Sequence, residues 1–136
     1  MVILLNGSSP IARAAIAEKL RGELENWSHL PLEALSEAVA SQGMQIAQQP
    51  ELLLRVACHC TEEMRREGMH TLLSADDIGE MLPLLREELG GDVVAVHLGD
   101  SENPDQFDFT IDTSVSNLND IVNALIKFIK ETPQSS

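Results

Sequence analysis

Cations are scarce in this chain of 136 residues: nine Lys and Arg stand against 22 Asp and Glu, for a formal net charge of −13. From Glu87 to Ile126 there is no Lys or Arg, while nine Asp or Glu fall there. A surface of that sign repels a phosphate backbone, so no nucleic-acid partner is expected. Its carboxylates read as a solvated, solubilising surface. Long apolar runs are also missing. Val2–Leu5 is far too short to span a bilayer, and no membrane association is expected. No basic segment precedes that run and no small-residue cleavage site follows it, which points to the cytoplasm. Cysteine is limited to Cys58 and Cys60, too few and too close for a disulfide framework. With His59 between them and His70 nearby, they suggest a metal site. On a helix, however, residues two apart point to different faces, and zinc wants four convergent ligands, so no metal is expected.

What is present is enough for one packed domain. Hydrophobic residues make up 43% of the chain, and its length allows a real core. The reading is a single domain over residues 1–131 with a flexible tail, TPQSS, at 132–136. Strands and helices alternate. Val2–Leu5 is continuously apolar, as suits a strand buried on both faces. Ser9 suits an N-cap and Pro10 the first helical position, with Ile11, Ala15, Ile16, Leu20 and Leu24 on one stripe. WSHL reads as a short strand that Pro31 limits, and PLEALSEAVASQG as a helix ending at Gly43. Pro50–Glu67 reads as a helix with Leu53, Val56, Ala57, Cys60 and Met64 inward, stopped by Gly68. A strand near MHTLLSA comes next, then a helix over DDIGEMLPLLREELGG that Pro83 kinks or shortens and Gly90 ends. DVVAVHLG is a second buried strand. FDFTID alternates, Phe107, Phe109 and Ile111 against Asp108, Thr110 and Asp112, as on a half-exposed edge. The last helix, Leu118–Lys130, places Leu118, Ile121, Val122, Leu125 and Ile129 on its core side.

This alternation, with two wholly apolar strands, implies a three-layer α/β/α domain around a mainly parallel sheet. Ligands in such sheets sit at the C-terminal strand ends. The candidate segments are therefore Gly7–Arg13, Ser28–Glu33, Ser74–Asp77 and Gly99–Asp105. Trp27, the lone tryptophan, is either core or, if exposed, the anchor of an interface. Met44, Met64, Met69 and Met81 read as core filler.

The opening VILLNGSSPIARAAIAEKL resembles that of small-molecule kinases with a P-loop, particularly chloramphenicol phosphotransferases and adenylylsulfate kinases. The resemblance implies about five parallel strands with the first one central. The motif G-x-x-x-x-G-K-[ST] falls on Gly7, Ser8, Ser9, Pro10, Ile11, Ala12, Arg13 and Ala14, and only its first glycine matches. Ala12 lacks the second glycine's freedom, Arg13 keeps the lysine's charge in a larger planar group, and Ala14 has no hydroxyl for magnesium. Pro10 removes an amide donor. Where the family places an acceptor-activating aspartate, the nearest matches are Glu33 and His29; Asp76 and Asp77 stand either for a metal-facing acid or for a helix cap. The arginine-bearing lid is replaced by the acidic GDSENPDQ, so the lid is lost.

Phosphoryl transfer runs on cations and magnesium. The resemblance therefore implies a non-catalytic relative of these kinases, acting as a binding or protein-interaction module with no cofactor. Gly7, Ser8, Ser9 and Arg13 are its candidates for weak binding of phosphate or sulfate. The alternative is an atypical ATP- and magnesium-dependent phosphotransferase acting on a small hydroxylated substrate, with Arg13 for the lysine and Glu33 as base. A homodimer or an unidentified protein partner is expected.

Overall fold

The structure, a computed structural model, describes residues 1–41, 50–76, 78–90, 93–99, 104–113 and 117–131. Five strands, β1 (Val2–Asn6), β2 (Trp27–Pro31), β3 (His70–Ala75), β4 (Val93–Leu98) and β5 (Phe109–Ile111), form one sheet in the order β2-β3-β1-β4-β5. Every pairing is parallel. All five residues of β1 are buried, which is why that strand needs no polar alternation and takes the centre. Helices α1 (Pro10–Glu23) and α5 (Leu118–Glu131) cover one face; α2 (Leu32–Ser41), α3 (Pro50–Arg66) and α4 (Leu82–Leu89) cover the other. Ile3, Leu5 and Leu72 pack under α1 and α5, whereas Val2, Leu4 and Leu73 pack under α2, α3 and α4. The three-layer parallel architecture expected from the sequence is therefore present, with β1 central.

Several local expectations change. On α1 the buried stripe is Arg13, Ile16, Ala17 and Leu20, and Ile11 is 83% exposed. The helix turns its charged residue, not its first isoleucine, toward the sheet, because Arg13 finds acceptors there. On α3 the buried face is Leu54, Ala57, Cys58 and Thr61, with Leu53, Val56 and Cys60 half-buried and Met64 exposed. The apolar arc of this helix is wider than a stripe, so periodicity alone does not set its phase. Of the two expected effects of Pro83, the helix is shortened and not kinked: a 3-10 turn at Gly79–Met81 precedes α4, and Pro83 lies in the first turn of α4, where no amide bond is missed. β5 is only three residues long. Phe107 precedes it and packs with the α3 and α4 side, opposite to Ile111. Leu118 is partly exposed at the start of α5.

Trp27 is buried, its ring 5.0 Å from that of His70, and so offers no exposed anchor. Met69 and Met81 are half-buried. Cys58 is buried, His59 exposed and Cys60 half-buried, so the three do not share a face. Burial, with Glu88 and Glu62 adding to it, pushes the Cys58 thiol up to about 11. Among the described residues no helix is long and apolar enough to cross a membrane. Gly43, Met44, Asp77, residues 100–103 of the acidic segment and the 132–136 tail lie outside the described residues.

Candidate functional site

The C-terminal end of β1 is a branch point. β1 hands the chain to α1 on one face, while its neighbour β3 leads to α4 on the other. A crevice opens between such strands. Three of the four candidate segments meet there.

The loop after β1 is tightly specified. Asn6, fully buried, accepts a hydrogen bond at Oδ1 from the Ile78 N–H at 2.8 Å. That fixes its amide orientation, so Nδ2 donates to His97 Nδ1 at 2.9 Å. One side chain thus ties together the ends of β1 and β4 and the segment after β3. Gly7 follows at φ 91°, and Ser8 at φ 63° is one of the few non-glycine residues in that region. Ser9 caps α1 as expected, its Oγ accepting from the Ala12 N–H at 3.1 Å.

Arg13 lies beneath this loop with only 1% of its side chain exposed. Its Nη1 donates to Gly7 O at 2.9 Å and to Ser8 O at 2.8 Å, and Nη2 donates to Glu33 Oε1. Asp76 Oδ1 stands 4.0 Å from Nη1 on a side chain that is 87% exposed. The structure therefore brings Gly7, Ser8, Arg13, Glu33 and Asp76 together. Ser9 faces solvent. Asp76 is not the cap of the following turn: that position is Ile78, whose own side chain makes no capping bond.

Three of the loop's amide donors are committed. The Gly7 N–H donates to Ala75 O at 3.1 Å, the Arg13 N–H to Ser9 O at 3.0 Å, the Ala12 N–H to Ser9 Oγ, and Pro10 has none. The carbonyls of Gly7 and Ser8, meanwhile, point at the guanidinium. A phosphate cradle needs the reverse, amides turned inward around an anion. Glu33 Oε1 is occupied as the acceptor of the Arg13 Nη2 bond.

His29, the second base candidate, lies on β2. Its Nε2 makes a 2.7 Å hydrogen bond with Ser74 Oγ, and Ser74 is buried. Burial is the main cause of its lowered pKa; Arg21 and Arg13 lower it further, and Glu33 opposes them. Since the folded chain disfavours the protonated ring, stability is full above the ordinary value of 6.5 and is lost as pH falls through the lowered folded value. Urea midpoints are expected to drop as pH falls below about 6.5, and His29→Gln to flatten that part of the profile. An unchanged slope in the variant would assign the effect to other groups.

Sequence reasoning did not find the Asn6–His97–Ile78 bracket. Its one signal was the asparagine ending an otherwise apolar strand. Among the described residues no group of three His, Cys, Asp or Glu is placed to hold a metal ion.

A central β1, a loop running straight into α1, and helices on both faces of a β2-β3-β1-β4-β5 sheet leave few alternatives. The chain has the fold of the P-loop small-molecule kinases. It superposes on the tunicamycin resistance protein of Deinococcus radiodurans with a TM-score of 0.72 at 15% identity, covering 98% of each chain. A sugar kinase from Janibacter sp. gives 0.71 at 14% identity, covering 97% of this chain and 95% of that one. The APS kinase of Mycobacterium tuberculosis gives 0.69 at 14%, covering 95% and 97%. No protein-family model and no curated protein sequence matches the chain. Within this kinase fold the likeness is one of architecture; the motif lysine, second glycine and hydroxyl of the loop are Arg13, Ala12 and Ala14.

Proposed function

We propose that this chain is a non-catalytic relative of the P-loop small-molecule kinases that works as a binding module. One observation carries the reading. The only cation at the loop, Arg13, is buried and spent on Gly7 O, Ser8 O and Glu33. A catalytic cation has to face the transferring phosphoryl group in the transition state, and each lost donor of that kind is worth on the order of 10²–10³ in rate. Here the lysine's place is taken by an internal strut, and Ala14 offers magnesium no hydroxyl. Weak anion binding at Ser8 and Ser9 is compatible with the module, but the turned carbonyls work against it.

Calorimetric titration with ATP and magnesium tests this directly. The expected outcome is no magnesium-dependent heat at millimolar nucleotide and no ADP formed. Tight, magnesium-dependent binding with turnover that Arg13→Ala abolishes would establish the phosphotransferase alternative, with Arg13 released from its carbonyls by the nucleotide.

A further inference from the structure

A cavity of about 370 Å³ opens between α2, α3 and the end of β3, within the range of small-molecule sites. Its walls are mostly apolar. Leu32 and Leu54 belong to the buried core, and Leu53 and Met81 are half-buried beside them. Its polar side chains include Glu33, Glu37 and Asp76, and no Lys or Arg is among its described lining residues. The nearest cation, Arg13, sits behind Glu33 and is buried. One positive charge against three carboxylates leaves two negative charges in excess at the site.

We propose that this cavity binds a small organic monocation: an ammonium group on an alkyl or aryl body. The inference deepens the binding-module reading and rests on it. The apolar body removes its own surface and that of Leu32, Leu53 and Leu54 from water, which is favourable for any apolar ligand of this size. The charge decides among such ligands. An anion would give up hydration beside an excess of negative charge, and a neutral molecule would gain nothing from it. An ammonium at the mouth meets the exposed carboxylates of Asp76 and Glu37 where the nearby protein weakens solvent screening.

The test uses the full chain, labelled with nitrogen-15, titrated at pH 7 and low salt with phenethylammonium, 2-phenylethanol and phenylacetate. Saturable amide shifts are expected at Leu32, Glu37, Leu54 and Ile78. Phenethylammonium should bind about fivefold or more tightly than 2-phenylethanol, the difference one or two partly exposed ion pairs supply. Phenylacetate should give no saturable shift. The pair E37Q and D76N should remove that preference while leaving 2-phenylethanol unchanged. Both side chains are exposed, so the fold is retained, and a thermal melt verifies it. Equal affinity for the alcohol and the ammonium, binding of phenylacetate, shifts confined to other surfaces, or no shift from any probe up to about 20 mM each overturn the inference. ATP turnover would instead remove the binding-module reading and leave the charge preference measurable, so the two failures are distinguishable.

Discussion

Arg13→Met is expected to lower the thermal midpoint by roughly 10 °C, the shift that about 3 kcal/mol produces in a domain of this size. The substitution keeps an apolar stem of similar length and deletes the guanidinium. Gly7 O and Ser8 O then lose the donor that holds them under the loop. The buried Gly7 carbonyl left without a partner costs about 1–3 kcal/mol, and the carbonyl of the exposed Ser8 costs less because water can reach it. Glu33 contributes less, because its side chain is 37% exposed and regains water when released. Against this stands the relief of no longer burying a charge, which brings the sum of the two carbonyl terms down rather than up. Arg13→Lys is expected to fall between the two, since a single ammonium cannot reproduce the planar fork that meets two carbonyls and a carboxylate at once. Melting followed by circular dichroism separates the three proteins. If R13M melts within about 2 °C of the parent, the guanidinium is not a strut, and the argument against catalysis loses its physical basis.

Gly7→Ala is the second large effect, expected at about 3 kcal/mol in urea unfolding. Two causes combine. Gly7 has φ 91°, where a side chain costs about 1 kcal/mol or more. A Cβ built there would also meet Leu98 O at 2.9 Å and His97 Cε1 at 3.0 Å. The first of these is main chain in the buried strand β4 and has no rotamer by which to move aside. Gly68 is the internal control: it has φ 79°, but nothing lies within 4 Å of its would-be Cβ. Gly68→Ala should therefore show the backbone cost alone, about 1 kcal/mol. Equal losses at the two positions would mean that the close approach of β1 to β4 carries no energy. Gly7 is needed by the sheet whether or not a phosphate is ever bound.

The architecture was legible in the sequence because it rests on local and repetitive signals. Val2–Leu5 and the run in β4 could be read as doubly buried strands from continuous apolar character, and Ser9 with Pro10 marked the start of α1 from capping chemistry alone. Helical phase was less legible. α3 carries apolar residues around more than half its circumference, so which of Leu53 and Leu54 faced the core depended on where α4 and β3 were packed. Phe107 fails in the same way: alternation within FDFTID assumed a strand that starts two residues later.

By itself the sequence determined the layers, the parallel sheet and the presence of Arg13, Ala12 and Ala14 where the loop motif has a lysine, a second glycine and a hydroxyl, because each follows from residue type and short-range spacing. Only the tertiary structure decided what the surviving residues do. Arg13, Glu33 and Asp76 are far apart along the chain, and nothing in their local patterns says that a buried guanidinium will be met by two carbonyls and a carboxylate. That depends on three connections arriving at the end of the central strand. Burial there turns a charge that could have faced a ligand into one that must be satisfied from within.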